Sequence, residues 1–264
     1  MRILLLVVSI LASGDALATG QGRGAFAGQP RINALLVGGG PYHDYSAQNK
    51  ILVDAVAKSL PVNWTIVFPD PGVADGKVPL YDNPDWYKGF DVVVHNECFA
   101  NQADPAFLQR ITAAHKAGIP SVVIHCAMHS YRAAKVEDWR EFLGVTTRRH
   151  TAQHRIAVTW SPGHPIAAGM AEWTTPMDEL YVIEKMWPGA SAIGTAVSPD
   201  EGNPVFALAW TYEYQGKTRV FGTTLGHGMD TWHDPVFQNL LTRGFRWALK
   251  KDVVAAPASS GASR

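Results

Sequence analysis

Four short apolar runs carry a histidine at or just past their ends: LLVGGGPYHDY with His43, DVVVHNE with His95, SVVIHCAMH with His125 and His129, and VFGTTLGHG with His227. Runs this short, rich in Val, Ile and Leu, bounded by Gly and Pro and separated by stretches of helical period, read as strands covered on both faces in a parallel sheet. In such sheets ligands bind outside the carboxyl ends of the strands. Parallel pairing therefore gathers distant imidazoles along one edge. An imidazole titrates near neutral pH and serves as acid, base, hydrogen-bond donor or metal ligand, so that edge is the expected site.

The rhythm along the chain supports this layout. INALLVGGG is the first strand, an apolar helical stripe runs over residues 47–60, and VNWTIVF is the second strand, followed by a Gly-, Asp- and Pro-rich loop over 69–84. DVVVHN is the third strand. A helix follows with Asp104 as its cap, Pro105 at its first position and Gly118 at its end, and then the strand SVVIHC. Alternating strands and helices give a doubly wound α/β architecture, a mostly parallel sheet flanked by helices with right-handed crossovers. The second half changes character: HRIAVTW, ELYVIEKM, SAIGTAV, PVFALAWTYEY and TRVFGTTL read as extra β-strands with few helices between them, before an amphipathic helix over 235–250. One domain is expected over 31–250, with a flexible leader at 19–30 and a disordered tail at 251–264.

Composition narrows the partners. Lys and Arg number 23 against 23 Asp and Glu, without a basic cluster, so neither nucleic acid nor an anionic membrane surface is expected. Residues 1–18 read as a signal peptide: Arg2, the apolar ILLLVVSILA, and Ala16-Leu17-Ala18 at the cleavage site. A periplasmic or secreted protein is expected, with no membrane contact once the signal is removed; a core strand or an anchor is the competing reading of the same segment. Export bears on Cys98 and Cys126. If their strands are neighbours, the two thiols lie at one sheet edge, as a disulfide or as two buried thiols.

The order GGGPYHDY, VVVHNECFA, VVIHCAMHSYR, GHPIAAG, DELYVI, PVFALAW and RVFGTTLGHGMDTW resembles the ThuA-like (trehalose utilisation) family, from Arg31 to Lys250. The resemblance implies a flavodoxin-like or class I glutamine amidotransferase-like fold and a role in carbohydrate metabolism. Amidotransferases carry a nucleophilic Cys between glycines on a tight turn after a strand. Here His125 falls at that place and Cys126 one residue later, where alternation turns the thiol away. A functional glutamine amidotransferase is therefore not expected.

On this basis His125, His227 and Glu97 are the candidate acid–base catalysts. His43, Asp44, His95, Glu179, Tyr181 and Trp232 are the candidates for binding a small carbohydrate, with Tyr131 and Trp139 as further rings for stacking on sugar faces. Adjacent carboxylates at Asp178 and Glu179 on an alternating strand allow one of them into the site. His150 and His154 sit four apart but precede a strand, so a loop or partner contact is expected for His150, and His164 in HPI is expected to bond locally. No cofactor is specified; a divalent metal on His43, His125 and His227 would polarise a carbonyl. The expected activity is proton abstraction beside a keto group of a sugar or keto-glycoside. The alternatives are a non-catalytic sugar-binding module and a thiol amidase using Cys126. Oligomeric state is left open.

Overall fold

The computed structural model describes residue 26 and residues 28–69, 72–200 and 202–253. The expected signal peptide, most of the leader and most of the tail lie outside these residues. Among the described residues no helix is long and apolar enough to cross a membrane.

The first half is a parallel sheet. Strands β1 (Ile32–Gly39), β2 (Val62–Val67), β3 (Val92–Glu97) and β4 (Ser121–Ile124) alternate with helices α1 (Tyr45–Ala57) and α2 (Pro105–Ala117). β1 pairs in parallel with both β2 and β3, and β3 with β4. A short helix, α3 (Asp138–Leu143), leads into β5 (Val145–His150), β6 (His154–Trp160), β7 (Trp173–Asp178), β8 (Tyr181–Met186), β9 (Ser191–Val197), β10 (Val205–Tyr214) and β11 (Thr218–Thr223). The chain ends in α4 (Met229–His233) and α5 (Pro235–Ala248). β11 returns to pair in parallel with β4, giving one sheet in the order β2-β1-β3-β4-β11-β10-β9-β6-β7, while β5 and β8 form a separate antiparallel ribbon. β10, β9, β6 and β7 extend the sheet in antiparallel fashion.

Period-two alternation sorts the core onto the two faces of this sheet. Ala34, Leu36, Val92, Val94, Val122 and Ile124 pack with apolar residues of α1 and α5. Leu35, Val37, Val93 and Val123 pack instead with Phe107, Leu108 and Ile111 of α2 and with Trp139 and Phe142 of α3. The capping residues read from the sequence act as expected on α2: the Asp104 carboxylate accepts from the Ala106 amide, Pro105 opens the helix, and Gly118 closes it at φ 112°. The four strands β1, β3, β4 and β11 lie side by side and run the same way, so their carboxyl ends form one rim.

Candidate functional site

Three loops on that rim are tied together by backbone and sulfur. Gly40 has φ +113°, and a Cβ there would stand 2.4 Å from the Cys98 carbonyl oxygen, so only glycine lets the loop after β1 rest on the loop after β3. The Cys98 amide donates to the Gly39 carbonyl at 2.8 Å. Cys98 and Cys126 form a disulfide, linking the loop after β3 to the turn after β4. Both cysteines of the sequence are taken up in this bond, so Cys126 presents no thiol in this structure.

His125 follows β4 directly and adopts φ +47°, a left-handed conformation that a side chain with a Cβ rarely takes. A residue held there on a strand-to-helix turn is lifted out of the strand's alternation. Its Nδ1–H donates to the Thr224 carbonyl at 2.6 Å, which fixes the ring and leaves Nε2 toward Glu179 and Tyr181. His227 lies in the loop after β11. The buried Asp178 carboxylate accepts from the amides of Gly226 and His227 at 3.0 and 3.2 Å and from the Glu179 amide at 2.8 Å, clamping that loop to the end of β7. Both neighbouring acids thus serve the site, because Asp178 closes β7 while Glu179 falls in the two-residue break before β8, so strand alternation does not separate them.

Glu179 is the hub. Its carboxylate lies 3.1 Å from His227 Nδ1, 3.5 Å from His150 Nδ1 and 3.8 Å from His125 Nε2. The Tyr181 hydroxyl donates toward His125 Nε2 at 3.5 Å, and the Tyr181 ring stacks on His129 at 4.1 Å. His43 stands over this group, its ring centroid 4.8 Å from that of His125 and 5.0 Å from that of His227. One ligand nitrogen from each of these three rings falls within 4.8 Å of the others. His43, His129, His150, Glu179, Tyr181 and His227 line a cavity of about 250 Å³, whose wall is completed by Tyr42, Ala100, Arg132 and the disulfide.

Burial sets the protonation of this cavity. It depresses His43 to about 3, helped by the neighbouring His125 and His227, and His125 to about 3 against the opposing pull of the Thr224 carbonyl. His129 is pushed down to about 2 by burial and by Arg132. Burial raises Glu179 above the ordinary carboxylate range, opposed by the nearby imidazoles His150 and His227. It raises Tyr181 as well, reinforced by the Glu179 charge. His43, His125 and His129 are thus uncharged at neutral pH, beside a carboxylate that holds a proton more readily than in water.

Of the expected site residues, the structure brings together His43, His125, Glu179, Tyr181 and His227. Four others lie elsewhere. Glu97 and His95 are fully buried on the α2/α3 face of β3: His95 Nδ1–H donates to Glu97 Oε1 at 2.9 Å, its Nε2 meets His115 Nε2 at 3.1 Å, and the Tyr131 hydroxyl donates to Glu97 Oε1 at 3.2 Å. Asp44 is exposed and caps α1 by accepting from the Ala47 amide at 3.0 Å. Trp232 is a core residue whose Nε1–H donates to the Gly226 carbonyl at 2.8 Å, so it braces the His227 loop from behind. Tyr131 and Trp139 are also wholly buried and offer no face to a sugar. His164 bonds locally, accepting from the Ile166 amide at 3.2 Å.

Sequence reasoning placed His129 at the rim without giving it a role, and passed over Tyr42 and Arg132 as pocket residues, and Gln153, whose amide lies 2.7 Å from His227 Nε2. It also left His150 outside the site, whereas pairing of β5 with β8 sets it against Glu179.

Comparisons with known proteins agree with this architecture. The ThuA family model, described as trehalose utilisation, matches residues 75–248, about two-thirds of the chain. A ThuA-like protein from Parabacteroides merdae superposes with a TM-score of 0.64 at 20% identity, covering 86% of this chain and 94% of its own. One from Bacteroides uniformis gives 0.65 at 16% identity, over 86% and 95%. A GMP synthase protein from Thermoplasma acidophilum gives 0.50 at 11% identity, over 83% and 94%, which extends the likeness to the glutamine amidotransferase-like fold. No curated protein sequence matches the chain at a significant level.

Proposed function

Because the chain belongs to the ThuA (trehalose utilisation) family, we propose that it is an enzyme of carbohydrate metabolism, acting on a sugar or keto-glycoside by acid–base chemistry in the Glu179 pocket. The observation that carries this reading is the convergence of His125, His150 and His227 on one buried carboxylate. A carboxylate that water does not stabilise is a stronger base than a free one, and its conjugate acid persists long enough to return the proton. Glu179 takes the proton from the carbon beside a keto group. The Tyr181 hydroxyl and the neighbouring imidazoles steady the charge that develops on the carbonyl oxygen. The proton returned to a neighbouring carbon gives isomerisation, and loss of the glycosidic oxygen gives eliminative cleavage.

The cavity volume suits a small sugar, and Tyr42, 46% exposed at its mouth, offers a ring face for stacking. We place the mature chain in the periplasm or outside the cell. The apolar N-terminal segment supports this, as does a disulfide of the kind that persists in oxidising compartments.

Incubation with a panel of disaccharides and their keto derivatives, followed by NMR, tests the reading. Turnover of a keto-glycoside is the expected result. Sugars that bind but are never converted would instead make the chain an accessory binding module.

A further inference from the structure

We infer that His43, His125 and His227 form a binding site for a first-row divalent cation, with zinc the first candidate. The inference rests on the reading of this pocket as the catalytic centre and adds to it a Lewis acid beside Glu179.

Three features carry it. The first is convergence: a nitrogen from each ring lies within 4.8 Å of the other two, the rings coming from the loops after β1, β4 and β11. Closing them onto a cation at about 2.0–2.1 Å from each nitrogen needs ring movements of about an ångström.

The second is the set of outer partners. A metal-bound imidazole characteristically gives its other N–H to a backbone carbonyl or a carboxylate. His125 gives its Nδ1–H to the Thr224 carbonyl, leaving Nε2 unprotonated toward Glu179 and Tyr181. Nε2 of His227 contacts the Gln153 amide, which, turned end for end, accepts an N–H from the ring.

The third is an orphan. With Gln153 on Nε2, the other nitrogen of His227, Nδ1, is enclosed and makes no aligned hydrogen bond, although Glu179 Oε1 stands 3.1 Å away. With the ring proton held on Nε2 by Gln153, the Nδ1 lone pair is free to ligate a cation, and the Glu179 carboxyl beside it balances part of the cation's charge. Three imidazoles leave a coordination position open, the arrangement of catalytic rather than structural metal sites, and imidazole donors favour zinc, copper, iron or nickel over magnesium or calcium. A substrate carbonyl oxygen entering the open position is polarised next to Glu179.

Tag-free protein, stripped with a chelator and titrated with Zn²⁺ or Co²⁺ by calorimetry and elemental analysis, tests the site. The expected result is one ion per chain, with a Co²⁺ visible spectrum of nitrogen ligation. His43→Ala and His227→Ala should lose the stoichiometric ion while remaining folded by thermal unfolding. Glu179→Gln should weaken binding by about 10–100-fold, and His233→Gln, an exposed histidine outside the pocket, should bind as the parent does. The inference is overturned if the parent retains no ion, or if His43→Ala and His227→Ala bind as well as it does. Metal uptake without turnover of any sugar would leave the site standing and remove the enzymatic reading. Turnover by the stripped chain, indifferent to added cation, would keep the enzymatic reading and overturn the Lewis-acid role given to the ion.

Discussion

A carboxyl group withdrawn from water resists ionising, while nearby imidazoles draw it back toward the charged form. Glu179 sits in that balance, which is why one residue there can both take and return a proton. Glu179→Gln preserves shape and removes the base of the proposed reaction, so kcat is expected to fall by about 10²–10⁴-fold with KM changed far less; equal activity in the variant would overturn that role. Asp178 works one step back. Three backbone amides converge on its carboxylate, and Asp178→Asn replaces one acceptor oxygen with a donor among donors. The expected outcome is a loss of about 1–3 kcal/mol in denaturant unfolding, with a fall in turnover as the His227 loop loosens.

At the scale of elements, helix α1 separates two readings of one residue. Asp44 lies next to His43 in the sequence, yet its carboxylate closes the first turn of the helix. Asp44→Ala is expected to cost about 1 kcal/mol of stability and leave kcat unchanged; a collapse in turnover would return Asp44 to the pocket. The same scale shows what could be read from the chain alone. The parallel strands, the α2 caps and the shared rim of residues 43, 125 and 227 follow from apolar runs, Gly/Pro punctuation and the carboxyl-end rule. Strand length does not. β3 continues through Glu97, so His95 and Glu97 remain under the alternation that turns odd positions toward α2 and α3, and polar letters that seem to lie past the strand are interior. β5, VTTRRH, lacks an apolar alternation to announce it. His150 therefore became visible only through the pairing of β5 with β8. The aromatic side chains misled for a plain reason: Trp and Tyr near a site are as often its scaffold as its surface.

For the whole molecule, the buried imidazoles set the response to acid. His115 is held well below its ordinary value by burial and by His95, and His129 is pushed to about 2. The unfolded chain binds these protons below about 6.5 and the native chain refuses them. Stability is therefore complete above that pH and declines as pH falls through the window beneath it, by about 1.4 kcal/mol per pH unit for each ring that stays neutral. Chemical denaturation at a series of pH values checks the slope; a flat profile between neutrality and mild acid would contradict it. Reduction of the Cys98–Cys126 bond, which spans 28 residues, is expected to cost about 2–4 kcal/mol and to loosen the wall it forms, read as a lower Tm in thiol-containing buffer. That bond also limits how the pocket can be drugged or labelled. Electrophilic warheads aimed at cysteine find their target already cross-linked, so a small molecule meant for this cavity has to gain its hold from the imidazoles, the carboxyl group and the phenol rings that line it.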